Sequence, residues 1–298
     1  MTSQKTFRRG FWLIACSSVA WGTSGLSFQI MYSISNTNAL SLAFWRLAIA
    51  TPLFLLSGWL VLDRSLFHIK RRDLWVMLLM GGLQASYQAS FIAALPLAGV
   101  MVSTLIALCV APVIVAVFSA LMVREHLAPL TLLALVGALG GTTLLVLARS
   151  QPHKADLSLL GVILALISAS CYAGFVLCGR RVTAHYHTLQ INSIAFGSGS
   201  VLLLLLASST SLAIVYPITG WLILLYLGSI PTALAYGLFQ IGMRLVSATV
   251  TSIVTLCEPL TASLLAILFL HETLHATGLL GAALLLGALG LILLAPRT

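Results

Sequence analysis

The sequence predicts an all-α polytopic membrane protein, with ten transmembrane helices arranged as two inverted five-helix repeats around a central cavity. Three observations lead to this prediction: an apolar composition, apolar stretches of membrane-spanning length, and an internal repeat. The 298 residues are 60% hydrophobic and only 7% charged, whereas soluble proteins carry roughly 25% charged residues. This composition excludes soluble enzymes, disordered tails and secreted disulfide scaffolds.

Ten apolar stretches, separated by polar or proline-containing breaks, are each long enough to cross a bilayer as a helix. Such a helix needs about 20 residues, and a backbone in lipid must satisfy its own hydrogen bonds. The first stretch follows Lys5, Arg8 and Arg9 and so resembles a signal peptide, but its length and the nine stretches after it indicate a transmembrane helix. The predicted spans, in chain order, are about 11–31, 39–62, 74–94, 98–122, 128–148, 157–178, 189–208, 219–239, 246–270 and 275–295.

The basic residues indicate how these spans are oriented. Fifteen Lys and Arg stand against six Asp and Glu, which gives a net charge of +9. When loops alternate between the two sides, twelve of the fifteen fall on the side of the N-terminus, only Arg149 and Lys154 fall on the other, and Arg46 lies within the second span. Cytoplasmic loops are enriched in Lys and Arg. We therefore expect both termini in the cytoplasm and the protein in the inner membrane.

The two halves of the chain resemble each other. Trp21 in the first span corresponds to Tyr172 in the sixth at an offset of 151 residues. A Pro-x12-Glu pattern runs from Pro112 to Glu125 and closes the fourth span, and it recurs from Pro259 to Glu272, 147 residues later, where it closes the ninth. The tetrapeptide Gly-Ala-Leu-Gly occurs in both the fifth and the tenth span. Because these matches occur in the same order, we interpret them as an internal duplication.

Each copy of the repeat holds five spans, so residues 1–150 form the first predicted domain and residues 151–298 the second. Since five is an odd number, the second copy crosses the membrane in the opposite direction. Arg180 and Arg181 end the sixth span, whereas the equivalent end of the first, around Tyr32, is uncharged. Inverted repeats are the architecture of alternating-access carriers, whose substrate binds near the midplane between the halves. The repeat therefore predicts a secondary transporter.

Four groups of residues carry a family resemblance. They are Ala20-Trp21-Gly22, Phe44-Trp45-Arg46, Ala111-Pro112 with Arg124-Glu125, and Glu258-Pro259 with His271-Glu272. With these motifs, essentially the whole chain resembles the ten-helix members of the drug/metabolite transporter superfamily, which are built from two EamA-type repeats. The resemblance implies an exporter of amino acids and related metabolites. One bacterial branch of that family transports aromatic amino acids, with methyl viologen as a foreign substrate.

The chain departs from the paired pattern of this family at one position. The first repeat carries Ala111 where the second carries Glu258, so one carboxylate remains at mid-membrane. Four-helix relatives use a carboxylate in their first helix for proton coupling, and the first span here has none. This departure argues against proton antiport of that kind. The scarcity of carboxylates within the spans favours facilitated export, in which the gradient of the substrate itself drives transport.

Glu258 and Arg46 are the charged candidates for the site. A carboxylate near the middle of a span costs on the order of 3 kcal/mol by insertion scales, so it marks a functional position by default. Glu258 can instead tie a helix kinked by Pro259 to a neighbour. Arg46 is the natural partner of that charge, or it can snorkel or bond exposed carbonyls. We assign Arg46, Pro112 and Pro259 to structure or gating, and all these alternatives remain open.

Polar and aromatic side chains form one face on each of two spans. Gln84, Tyr87 and Gln88 are spaced i, i+3 and i+4 in the third span, and Tyr236 and Gln240 are spaced i and i+4 in the eighth. Amides can pair with an ammonium or a carboxylate, and Tyr rings can stack on an apolar substrate. The two faces are predicted to line one cavity, and the alternative is polar contact between helices.

Trp21 and Tyr172 lie about ten residues into their spans, and hence near the midplane. Aromatic residues that anchor a helix at the membrane surface lie at its ends instead. Ser24 and Phe175 follow one turn later on the same faces. We therefore predict that these residues bind substrate as well, with close helix packing as the alternative.

No pattern in the sequence indicates a cofactor, a metal or a catalytic group. The five cysteines lie in apolar stretches without paired spacing, and the seven histidines lie at span ends or in loops. Phosphate-loop and nucleotide motifs are missing. We expect a small-molecule substrate and the lipid bilayer as partners, no nucleic acid, and a monomer or a homodimer.

The competing hypotheses are efflux of drugs or organic cations coupled to protons through Glu258, and a membrane-embedded enzyme, which the scattered acidic residues disfavour.

Overall fold

The computed structural model describes residues 4–63, 66, 68–122, 128–149, 158–210, 212–270 and 275–294. Every regular element in these ranges is a helix, which confirms the predicted fold class. The helices are α1 (Gln4–Ile34), α2 (Ala39–Leu62), α3 (Arg71–Met122), α4 (Pro129–Arg149), α5 (Leu159–Val182), α6 (Thr188–Ser208), α7 (Ile218–Gly228), α8 (Ala235–Met243), α9 (Ala248–Val254), α10 (Cys257–Leu270) and α11 (Ala276–Leu294).

Eight segments of the described chain are long and apolar enough to cross a membrane, and α1 is a further helix of 31 residues. The longest, α3, has 52 residues and is interrupted at Gly99, whose φ of 77° is not helical. Glycine adopts such an angle without steric cost because it lacks a Cβ atom. The interruption lies close to the predicted break between the third and fourth spans. The number of ten spans stays a prediction.

Helices that the repeat makes equivalent lie against each other. α2 packs on α6, and α4 packs on α11. α1 packs on α8 and α10, while its counterpart α5 packs on α3. At the crossing of α4 and α11, a Cβ atom on either Gly141 or Gly281 would lie 2.7 Å from the carbonyl oxygen of the other. Small residues let the two backbones touch here, as they do at many membrane helix interfaces.

The core is tightly closed at the end of the molecule where α1 begins. Phe11 and Ile14 on α1 and Met243 on α8 are buried there. A Cβ atom on Gly242 would lie 2.9 Å from the carbonyl oxygen of Gly10, so α1 and α8 also cross backbone to backbone. This contact leaves no space between α1 and α8 at this end of the molecule.

A π-helical turn, Ser229–Leu234, connects α7 to α8. Pro231 lacks the N–H group that would bond the carbonyl of Leu227 in a regular helix. The hydroxyl of Thr232 donates to that carbonyl instead, at 2.7 Å. Such π-turns occur frequently at functional sites. This one orients the residues of α8 that follow it.

Candidate functional site

A cavity of about 370 Å³ lies between the helices and agrees with the predicted central cavity. It is lined by residues from both halves of the chain and falls within the usual size of a small-molecule pocket. The cavity extends from Trp21 and Glu258 to Tyr32 and Ala39, where α1 ends and α2 begins. The buried core around Phe11 closes its other end.

Ten of the thirteen residues singled out in the sequence line this cavity. Their roles in binding or gating stay predictions, but the structure brings them together in one place. They are Trp21, Ser24, Arg46, Gln84, Tyr87, Gln88, Pro112, Tyr172, Tyr236 and Glu258.

Phe175, Gln240 and Pro259 are not among the lining residues. Phe175 is fully buried and packs edge-on against the ring of Tyr236, with ring centroids 5.9 Å apart. Gln240 is fully buried as well, one turn beyond Tyr236. Pro259 is the third residue of α10, where its missing N–H group removes no intrahelical bond. The helical path is interrupted before this proline, between α9 and α10.

Two aromatic pairs stand at equivalent positions around the cavity. Trp21 of the first half contacts Tyr236 of the second, with ring centroids 4.8 Å apart. Tyr172 of the second half contacts Tyr87 of the first, with ring centroids 5.5 Å apart. Each pair therefore joins a residue of one repeat to a residue of the other. The two pairs give the cavity walls of similar chemistry on both sides.

The phenol of Tyr236 is held in a fixed position. Gln84 donates a hydrogen bond of 2.8 Å from its amide nitrogen to the phenol oxygen. The ring is enclosed by Trp21, Phe175, Phe196 and Phe239. Because a buried aromatic cluster leaves little freedom to rotate, the hydroxyl of Tyr236 stays at the cavity wall.

Several residues of the cavity carry buried polar atoms without a hydrogen-bond partner among the described residues. These atoms are Trp21 Nε1, Ser24 Oγ, Gln84 Oε1 and Gln88 Nε2. A buried polar group without a partner costs about 1–3 kcal/mol. These four atoms include both hydrogen-bond donors and acceptors. It therefore matches a ligand that has both kinds of hydrogen-bonding group.

The two charged residues of the cavity influence each other electrostatically but form no direct ion pair among the described residues. The Nε atom of Arg46 donates to the hydroxyl of Thr232 in the π-turn at 3.3 Å, and its guanidinium lies 5.3 Å from the centre of the Phe28 ring. Glu258 and Arg46 both line the cavity, yet within the described ranges they form no ion pair with each other. An anionic and a cationic group are thus presented separately to the same space.

Gly22 brings the backbone of α10 against α1. A Cβ atom at this position would lie 2.8 Å from the carbonyl oxygen of Glu258 and 2.6 Å from the Cβ atom of Thr261. Only glycine permits so close an approach. The position of Glu258 in the cavity therefore depends on the contact between these two helices.

The sequence prediction missed mainly apolar lining residues. Among them are Phe28, Phe91, Ile92, Leu95, Thr104 and Leu108. A helical repeat of seven residues places Phe28 on the same face as Trp21, and Phe91 on the same face as Gln84. That spacing was the available signal, but a phenylalanine in a membrane helix faces lipid as readily as a cavity.

Comparisons with known proteins agree with this architecture. The sequence model of the EamA-like transporter family matches residues 8–147 and again residues 159–294. The chain is 30% identical to the uncharacterized transporter YwfM of Bacillus subtilis, over 93% of this chain and 91% of that protein. It is 26% identical to the uncharacterized inner membrane transporter YicL of Salmonella typhimurium, over 97% of both chains.

A solved crystal structure has the same fold. It superposes with a TM-score of 0.82 over 98% of this chain and 97% of its own. The two sequences are 20% identical, so this likeness concerns the fold alone.

Proposed function

Because this chain belongs to the EamA-like transporter family, we propose that it exports small amphipathic metabolites, principally amino acids with hydrophobic or aromatic side chains. The chain is a multi-pass membrane transporter, and the finer assignment rests on its cavity. One observation carries the proposal. Arg46 and Glu258 present opposite charges, without an ion pair between them, in a cavity with aromatic walls.

An amino acid matches this arrangement group by group. Its carboxylate pairs with the guanidinium of Arg46 and its ammonium with Glu258, as charge-assisted hydrogen bonds. Its side chain packs on the aromatic pairs formed by Trp21, Tyr236, Tyr87 and Tyr172. A phosphorylated metabolite is a poorer match, since Arg46 is the one cation among the described residues that line the cavity.

Transport follows from alternate exposure of this cavity. If the N-terminus lies in the cytoplasm, as the positive-inside distribution predicts, the open end faces the outside and the crossing of Gly10 and Gly242 closes the inside. An inverted repeat provides a second, equivalent conformation with the opposite end open. Because Glu258 is the single carboxylate among the described residues of the cavity, we propose facilitated export that is driven by the substrate gradient across the inner membrane.

A second candidate is efflux of organic cations coupled to protons through Glu258. It is favoured by the same carboxylate, because a negative charge among aromatic rings also suits a lipophilic cation. The two candidates differ in their driving force. Protonation of Glu258 would have to accompany each cycle of the second one, whereas the first needs no proton.

The test is counterflow of labelled amino acids into liposomes that contain the purified protein, with and without an imposed pH gradient. We expect exchange of aromatic and large aliphatic amino acids that never exceeds equilibration. Loss of a hydrogen bond to a charged group costs about 1.5–3 kcal/mol, so E258Q should lower exchange by about tenfold or more. D63N removes an exposed negative charge outside the cavity and is the control variant, with unchanged exchange.

Two outcomes contradict the proposal in different ways. Accumulation of an organic cation along the pH gradient, abolished by E258Q, would support the second candidate. No flux of any amino acid would overturn the substrate assignment and leave membership of the transporter family intact.

A further inference from the structure

Two amide side chains are buried in the second half of the chain without any hydrogen-bond partner among the described residues. They belong to Asn192 of α6 and Gln240 of α8, and both residues are completely buried. In each of them the amide nitrogen and the amide oxygen are both unpartnered. Most buried polar side chains in proteins are hydrogen-bonded, so two amides that lack every bond call for an explanation.

Both amides lie towards the end of the molecule where the cavity is closed. The span of α6 and the span that contains α8 follow each other in the chain, so they cross the membrane in opposite directions. Phe196 of α6 contacts Tyr236 of α8, with ring centroids 4.7 Å apart. Asn192 precedes Phe196 by one turn and Gln240 follows Tyr236 by one turn, which places the two amides at a similar depth. Two residues further, Gly242 crosses α1.

The repeat relates Asn192 to the wall of the open cavity. α2 and α6 each begin after a capping residue, and the two caps are 149 positions apart. At this offset Asn192 corresponds to Ala43, which lines the open cavity. A position that faces the cavity in the first repeat is thus sealed in the second.

Gln240 has the same relation to the first repeat. The two aromatic pairs around the cavity make Tyr236 the counterpart of Tyr87, again 149 positions away. Gln240 then corresponds to Phe91, and an offset shorter by one residue, which the wide π-turn permits, gives Ile92 instead. Both Phe91 and Ile92 line the open cavity. The two unpartnered amides therefore match two positions of the cavity wall.

The mouth of the open cavity also has a counterpart at the closed end. Tyr32 lines that mouth and corresponds to Thr183 at the offset of 151 residues that relates α1 to α5. Thr183 lines a separate surface cavity of about 500 Å³ together with Arg244. Arg244 follows Gln240 by one turn. Gln240 therefore lies along α8 between Tyr236 at the transport site and a cavity at the surface.

Flexible side chains cover Gln240 on the side of α5. A Cβ atom on Gly179 would lie 3.4 Å from Nε2 of Gln240, 2.8 Å from Cε of Met243 and 3.2 Å from Cε of Met80. Methionine side chains adapt readily to a change in packing. The counterpart of Gly179 is Phe28, which lines the open cavity. The cover over Gln240 is thus the sealed equivalent of an open wall.

We propose, as a refinement of the export cycle above, that Asn192 and Gln240 line the substrate pathway when this end of the molecule is open. Each amide offers donors and an acceptor, so the two can bind the carboxylate and the ammonium of an amino acid on its way to Tyr236. In the closed conformation the unpartnered amides cost free energy. Opening recovers this cost, which keeps the two conformations close in energy.

The test measures solvent access to these positions in the full-length protein, in nanodiscs and without substrate. Q240C and N192C place a thiol at each position, and a charged maleimide labels it. V182C is the matched control, because Val182 is buried at the same end and its counterpart Met31 is buried outside the cavity. Peptide mass spectrometry follows each site separately, so the native cysteines stay in place as internal references.

A buried thiol reacts only in the fraction of molecules that exposes it. The open conformation exposes Gln240 and Asn192 and leaves Val182 buried, so we expect Q240C and N192C to be labelled about tenfold faster than V182C. V182C should also exchange amino acids like the parent protein.

Q240L provides a second readout that needs no thiol. It fills a similar space with an apolar side chain and removes the unpartnered amide, so the closed conformation becomes more stable. We expect its melting temperature to rise by about 2–4 °C. Amino-acid exchange in liposomes should fall by about tenfold, because opening becomes less favourable.

Two results would overturn the proposal. Labelling of Q240C and N192C as slow as that of V182C would show that both amides stay buried throughout, whether or not the parent protein exchanges amino acids. A lower melting temperature or unchanged exchange in Q240L would show that the amide belongs to the static core. Rapid labelling without flux of any amino acid would support the pathway and overturn the substrate assignment alone. Variants that do not fold are recognised by size-exclusion chromatography, and each of the other variants can be interpreted by itself.

Discussion

Gln84 and Tyr236 form a buried hydrogen bond of 2.8 Å that joins the two halves of the chain across the wall of the cavity. The residues are 152 positions apart, on α3 and α8. Both side chains are buried, with exposed fractions of 2% for Gln84 and 5% for Tyr236, so loss of this bond costs more than loss of one at the surface. The bond therefore fixes the polar wall of the transport site.

The variant Y236F should destabilise the protein by about 1–3 kcal/mol, because it keeps the ring but leaves the Gln84 amide without its acceptor. Thermal unfolding in detergent measures the effect. Y226F is the matched control: Tyr226 donates a bond of 2.7 Å to Thr23 at an exposed position, and its loss should change stability by less than about 0.5 kcal/mol. Equal losses in the two variants would contradict the role of burial.

The variant G22A should destabilise the protein by about 1–3 kcal/mol, through overpacking against the backbone of α10. The methyl group would come within 2.8 Å of the carbonyl oxygen of Glu258, so substrate exchange should fall as well. G25A is the control, because Gly25 lines the same cavity and its added methyl group meets open space. Measurement of unfolding and counterflow in both variants separates the contact from a general effect of alanine. Loss of stability in G25A but not in G22A would refute the assignment.

The variant G141A should push α4 away from α11, because its methyl group would lie 2.7 Å from the carbonyl oxygen of Gly281. We expect a loss of about 1–3 kcal/mol, measured by thermal unfolding. The adjacent residue Gly140 is exposed and has no atom near its added Cβ. G140A should therefore stay within about 0.5 kcal/mol of the parent protein. Similar melting temperatures for the two variants would mean that this crossing tolerates separation.

His187 should make the stability of the protein depend on pH. Its Nδ1 atom accepts a bond of 3.3 Å from the N–H group of Leu189 and caps α6, and burial with the charge of Arg244 lowers its pKa from 6.5. Above pH 6.5 the imidazole is neutral in both the folded and the unfolded state, so its contribution is complete. As the pH falls below this value the unfolded chain binds a proton first, and the free energy of unfolding decreases until the pH passes the lowered pKa of the folded state.

Melting temperatures between pH 8 and about pH 5 measure this dependence. H187N keeps a capping acceptor that does not titrate, so its melting temperature should decline less over the acidic range than that of the parent protein. H187A removes the cap at every pH and should be destabilised throughout by about 0.5–2 kcal/mol. A decline in H187N as steep as in the parent would assign the pH dependence to another group.

Helical spacing in the sequence predicts many of the residues that line the cavity. Gln84, Tyr87 and Gln88 share a face, and that face lines the cavity together with Tyr236 of the other repeat. Polar side chains carry this signal because lipid disfavours them. The same spacing says nothing about depth along the helix axis. Gln240 lies on the same face of α8 as Tyr236 but one turn further along the helix, where the side chains of the core surround it completely.

Irregular backbone explains most of what the sequence pattern left open. The interruption at Gly99 and the π-turn around Pro231 are both close to prolines or glycines, but these residues also occur inside regular helices of this chain, such as Pro52 in α2. Thr232 shows the limit most clearly. Its hydroxyl donates to the Leu227 carbonyl, which Pro231 leaves without a backbone donor, and accepts a bond from Arg46 of α2. This chain of contacts depends on how α2 packs against the π-turn, which the sequence pattern does not show.

The π-turn also has an evolutionary consequence. A helix rotates roughly 100° for each residue, and a π-turn holds one residue more than the regular helix it interrupts. Because the wide turn absorbs this rotation, deletion of a single residue within Ser229–Leu234 would restore a regular helix and leave Tyr236 on its face, but it would remove the turn in which the Thr232 hydroxyl holds Arg46. A change in length, and not only a substitution, is therefore a short genetic route to a different specificity in a transporter of this design.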